Sequence, residues 1–155
     1  MCAAVAGARR AMETYPAFRC GLILCCIAEA AIWPPMKRCG SSGSMPGGVV
    51  CAIDLAGAEA LFPTSDYAGL FEQARAQQIP MTIHAGEAAG PESIRQALSF
   101  GTKRIGHGIT AAGDPALVRQ LAEAGVTLEV CPTSNVQTKG AVSLEQHPFA
   151  RGAGV

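Results

Sequence analysis

The chain has 155 residues, 49% hydrophobic and only 15% charged, which suits one globular domain with its own core and excludes a disordered chain. Twelve Lys and Arg balance twelve Asp and Glu, so there is no electrostatic footprint for nucleic acid or an anionic membrane. Gly21 to Trp33 is too short to span a bilayer and carries Glu29, and the N-terminus lacks the ordered regions of a signal peptide, so a cytoplasmic protein free of membrane is expected.

The predicted elements alternate along the chain. Ala3 to Glu13 reads as a small-residue helix ended by Tyr15-Pro16. Leu22 to Ile27 is an apolar run without alternation, the pattern of a strand buried on both faces. Residues 34–48 are rich in Pro, Gly and Ser and read as an irregular linker, where consecutive parallel strands would require a helical crossover. The chain thus divides into residues 1–33, that linker, and residues 49–155.

In the last part, Val49 to Leu55 is a buried strand ending at Ala56-Gly57. Asp66 to Gln77 is a helix capped by Ser65 or Asp66, with Tyr67, Leu70, Phe71 and Ala74 inward. Met81 to Ile83 is the next strand, and Pro91 to Phe100 a helix with Ile94, Ala97 and Leu98 inward, closed by Gly101. Arg104 to Gly108 is a short strand. Asp114 caps a helix with Pro115 at its first position and Leu117, Val118, Leu121 and Ala124 as its stripe. Val126 to Cys131 is a last strand, stopped by Pro132, and a polar loop then carries His147. Strands recur about every 20 to 25 residues, the period of βα units around a parallel sheet. Seven scattered cysteines, an odd number without a CxxC pair, point to a reducing compartment.

Residues able to do chemistry gather at strand carboxyl ends: Asp54 and Gly57, His84 and Glu87, His107, then Asn135. In a barrel of eight βα units that end is the catalytic face. A neutral imidazole at His84 can bind a divalent metal, and Glu87, across Ala85-Gly86, can move protons. His107, one strand over, can orient a metal-bound water or act as a base. The plain alternative is a histidine serving a tight turn, but two histidines and two acids on one end of successive strands favour a site.

Metal ligation is incomplete by sequence. A catalytic zinc takes three protein ligands, whereas His84 is one, Asp54 a weak second, and His147 lies on a polar loop. No His-x-His pair occurs. Ser134 lacks a nucleophile elbow, and the glycines form no dinucleotide or phosphate cradle. Glu129 reads as a buried acid satisfying a neighbour's backbone, and Asn135 as the cap of the following turn.

Four segments carry a resemblance: Ile53-Asp54-Leu55-Ala56-Gly57, Ile83-His84-Ala85-Gly86-Glu87, Arg104-Ile105-Gly106-His107-Gly108, and Leu128-Glu129-Val130-Cys131-Pro132-Thr133-Ser134-Asn135. Together they resemble adenosine deaminase, in that family's order and approximate spacing. The resemblance implies an α/β fold, a (β/α)₈ TIM barrel with one zinc at its carboxyl face. It implies His84 as the third zinc-binding histidine and Glu87 as the proton donor to N1 of the purine. It further implies His107 as the histidine that positions the zinc-bound water, and Gly57 as the glycine whose N–H meets purine N3. The implied reaction is hydrolytic deamination of adenosine to inosine and ammonia, with a small-molecule purine nucleoside as partner and no nucleic acid.

The family's N-terminal His-x-His and its paired-aspartate segment are absent, so the chain matches strands three to seven of a partial barrel. An incomplete deaminase, with zinc weak or absent and no activity as it stands, is therefore expected. The alternatives are a deaminase of another 6-aminopurine compound, such as adenine or an AMP-like nucleotide, and a non-catalytic fragment that needs a partner chain. Open sheet edges would allow self-association.

Overall fold

The computed structural model describes residues 2–30 and 49–148, and the expected linker at 34–48 lies outside them. Helix α1 (Cys2–Thr14) precedes β1 (Leu22–Ile27) and a 3₁₀ turn at Ala28–Ala30. Next come β2 (Val50–Ala56), a 3₁₀ turn at Thr64–Tyr67, α2 (Ala68–Ala76), β3 (Ile83–Ala85) and α3 (Pro91–Ser99). The order ends with β4 (Arg104–His107), a 3₁₀ turn at Ile109–Gly113, α4 (Pro115–Glu123), β5 (Thr127–Glu129) and α5 (Pro132–Gln137).

All pairings are parallel: β1 with β2, and β3 with β4 and β4 with β5. The two sheets meet at a bridge between Ile53 and Met81. There the Ile53 N–H donates to Pro80 at 3.0 Å and the Thr82 N–H to Ile53 at 2.9 Å. Strand order therefore follows chain order, with one helix in each crossover from β2 to β5. This is the expected arc of a (β/α)₈ barrel.

Burial explains which side carries the site. Ile53, Ile83 and Ile105, on successive strands, are fully buried in one cluster with Phe71, Ala74 and Ile94 of the helices. Side chains alternate faces along a strand. Asp54, His84 and Gly106, one residue on, are thereby turned to the opposite, concave side.

Several expectations need correction. Strand β1 is not buried on both faces, because Ile23 and Ile27 are exposed and β2 is its one neighbour among the described residues. Neither Ser65 nor Asp66 caps α2, which is entered through the 3₁₀ turn without a side-chain cap. Val118 is exposed, although Leu117 and Leu121 beside it are buried. Strand β3 lies two residues later than expected, Met81 contributing only the bridge. The segment from Pro132 is a helix, with the proline at its start. Among the described residues no helix is long and apolar enough to cross a membrane.

Candidate active site

Asp54 on β2 and His84 on β3 meet across the concave face, with His84 Nδ1 3.0 Å from Asp54 Oδ1. The Asp54 hydrogen bond holds the His84 pKa above its usual value, against the opposing effect of burial. Asp54 thus serves to orient the His84 ring, and leaves Nε2 as that ring's free edge. Gly106 leaves room here, since a side chain in its place would lie 3.1 Å from the His84 ring, closer than ordinary contact.

His107 ends β4 with φ 64°, beside Gly108 at φ 67°. Its ring, 5% exposed, lies 5.1 Å from that of His84. Asn135 Nδ2 approaches His107 Nδ1 at 2.7 Å, and Asn135 Oδ1 accepts from His147 Nε2 at 3.0 Å. An amide nitrogen only donates, so His107 Nδ1 accepts and its proton sits on Nε2. That nitrogen faces Glu87 Oε2 at 3.3 Å. Burial holds the His107 pKa below its usual value despite the pull of Glu87, which favours the neutral ring.

Asn135 is fully buried between two histidines rather than capping a turn, and His147, 2% exposed, is part of this network rather than a ligand on a polar loop. Helix α5 also delivers Ser134, 3.4 Å from Glu87 Oε1, and the residue after it, Thr138, donates to the same oxygen at 2.9 Å. Glu129 does not serve a neighbouring backbone. It pairs with the Arg104 side chain one strand away.

Gly57 follows β2 at φ 138°, with Glu29 closing one side of it. The Glu29 carboxylate accepts the Ala58 N–H at 2.6 Å, and a side chain at position 57 would come within 2.5 Å of it. Gly86 is equally constrained, with φ 72° and fully buried Ile94 2.5 Å from where a methyl group would be. Gly86→Ala is expected to lose about 3 kcal/mol in urea unfolding, from left-handed strain plus overpacking.

The residue that sequence reasoning missed is Glu59. Its carboxylate accepts the N–H groups of Gly86 (2.6 Å), Glu87 (3.0 Å), Ala88 (2.7 Å) and Ala89 (3.0 Å), and the Ser93 hydroxyl. Burial alone would raise its pKa, but the Ser93 hydroxyl and these amides outweigh it and hold the carboxyl below the usual range. The available signal was an acid two residues after a strand-end glycine.

Among the described residues no three His, Cys, Asp or Glu side chains are grouped to hold a metal ion. His84 supplies one ring nitrogen where a catalytic zinc takes three protein ligands. The described residues do not fit a zinc site by themselves.

The parallel βα order has counterparts among known proteins. Residues 4–153 match the family described as adenosine deaminase. The adenosine deaminase of Haemophilus ducreyi is 42% identical over 157 aligned positions, 95% of this chain and 44% of that protein. The crystal structure of an adenine deaminase from Arthrobacter aurescens superposes with a TM-score of 0.63 at 33% identity, over 66% of this chain and 32% of that one. An amidohydrolase from Burkholderia ambifaria, solved with bound zinc, shares the fold over 97% of this chain and 42% of its own, with a TM-score of 0.73 at 20% identity. The chain thus spans less than half the length of these proteins, and it belongs to the adenosine deaminase family.

Proposed function

We propose that this chain carries part of the site of a hydrolase that converts adenosine and water to inosine and ammonia. The observation that carries the reading is the Glu87 to His107 contact beside His84, at the carboxyl ends of adjacent strands. In this reading the Gly57 N–H meets purine N3 and Glu87 gives a proton to N1. The neutral His107, its tautomer set by Asn135, orients the water that attacks C6 by donating its Nε2–H, and Glu87 beside it carries the proton transfers. A zinc ion would be held by His84 together with ligands that the described residues do not supply, and would make the attacking water more acidic.

Charge placement favours an uncharged purine over a nucleotide. Glu29, Glu59, Asp66, Glu87, Asp114 and Glu145 lie on the carboxyl-end loops, where Lys139 is the one Lys or Arg among the described residues. Arg75, Arg95, Lys103, Arg104 and Arg119 lie on helices or at strand starts. Among the described residues a 5′-phosphate would meet mainly carboxylates there, with Arg95 already paired to Asp114.

Inosine is expected to shift the backbone resonances of Gly57, Glu87 and His107 in ¹H–¹⁵N spectra, and inosine monophosphate to shift them less at equal concentration. Glu87→Gln should weaken the inosine response. No shift at these residues would sink the assignment. Metal analysis after dialysis should find zinc far below stoichiometric and adenosine absorbance should stay constant, whereas tight zinc with turnover would show that the chain is active as it stands.

A further inference from the structure

Glu59 has no part in the chemistry just proposed, yet its carboxylate gathers more hydrogen bonds than any other side chain at the site. The acceptor sites of a carboxylate number about four, and four successive amides plus a hydroxyl converge on this one. The side chain is 9% exposed. Helix α3 starts just beyond the loop with Gly90 at its cap position and no side-chain cap of its own. Glu59, reaching over from the β2 turn, holds the loop before that helix and touches the helix itself through the Ser93 hydroxyl.

The loop so held contains Glu87. Its neighbour Gly86, at φ 72°, gives the backbone a freedom that only outside contacts remove. The Glu87 carboxylate is met by His107, Thr138 and Ser134, all from later in the chain. Its backbone is met by Glu59, from the preceding βα unit. A carboxylate that must stay within reach of both His107 and a purine ring requires both ends fixed.

We propose that Glu59 is a positioning residue for Glu87: it fixes the loop at residues 86–89 so that the Glu87 carboxylate stands against His107 and Thr138. The inference rests on reading Glu87 as the acid that faces substrate, but its test needs neither metal nor substrate.

The test is NMR on the full chain and on Glu59→Gln, which keeps the size and removes the charge. Amide protons bonded to a buried carboxylate resonate far downfield. In Glu59→Gln those of Gly86 to Ala89 should move upfield, and the cross-peak between the Glu87 γ-methylene and the Thr138 methyl should be lost. The sheet amides of Ile53, Ile83 and Ile105 should keep their positions. Glu59→Asp, with the charge retained but a shorter reach, should fall between the two. If the amide shifts collapse while the Glu87 to Thr138 cross-peak survives, Glu59 only anchors the loop and the proposal fails. It fails equally if the sheet amides move as far as those of the loop. Should Glu59→Gln give no folded spectrum, Glu59→Asp is read by the same criteria. A missing response to inosine would count against the deaminase reading and leave this result untouched.

Discussion

Glu59→Leu is expected to lower the unfolding free energy by about 4 kcal/mol. The substitution leaves the amides of Gly86, Glu87, Ala88 and Ala89 and the Ser93 hydroxyl facing an apolar side chain. Each buried group without a partner costs about 1–3 kcal/mol, but the costs do not add, because the loop can open and let water in. The pH dependence follows from the lowered pKa of Glu59. A carboxyl depressed by folding stabilises fully above its unfolded value, and that stability is lost as pH falls through the folded value. The gap between wild type and Glu59→Leu should therefore be constant above about pH 5 and close in acid. Urea midpoints at several pH values measure it. A gap below about 1 kcal/mol at neutral pH would remove Glu59 from any account of this loop.

Asn135→Leu is the second large effect, at about 3 kcal/mol. Leucine is close to asparagine in size, so the loss comes from chemistry more than volume. His107 Nδ1 loses the donor it accepts from, and His147 Nε2 loses its acceptor, both within buried rings. Two such losses at about 1–3 kcal/mol each set the estimate. Asn135→Asp makes a sharper test, because it puts a carboxylate between the two imidazoles and favours their protonated forms. A histidine whose pKa is raised by folding stabilises below its unfolded value and loses that stability as pH rises through the folded value. Asn135→Asp should thus recover toward wild type on mild acidification, where Asn135→Leu does not. Equal behaviour of the two variants across pH 5 to 8 would contradict the tautomer assigned to His107.

The βα order was legible because burial of helix and strand faces writes its period into the chain. Ile53, Ile83 and Ile105 are the inward members of short apolar runs, and Leu70, Phe71 and Ala74 keep helical spacing. The strand-end positions of His84, Glu87 and His107 could be read for the same reason. Glu59 could not, since its partners are backbone amides, which every residue carries and no sequence pattern marks. Helix α5 is six residues long, too short to show a 3.6-residue period, and its leading proline reads equally as a stop. The Asn135 environment depends on His107 and on His147, distant in sequence, which only the tertiary structure brings together. Ser65 and Asp66 looked like caps because they are good ones in isolation, but the 3₁₀ turn leaves their side chains outside that geometry.

The segregation of charge has a consequence that the overall balance conceals. With twelve charges of each sign the chain is formally neutral, and its isoelectric point is near 6.8. Yet among the described residues six acids lie on the carboxyl-end loops, where Lys139 is the one Lys or Arg. That loop face is negative where the formal charge of the chain is zero. At the isoelectric point it should draw cations, and retention on an anion exchanger at low salt is the expected result. Within about a Debye length, the loops behave as an acidic surface.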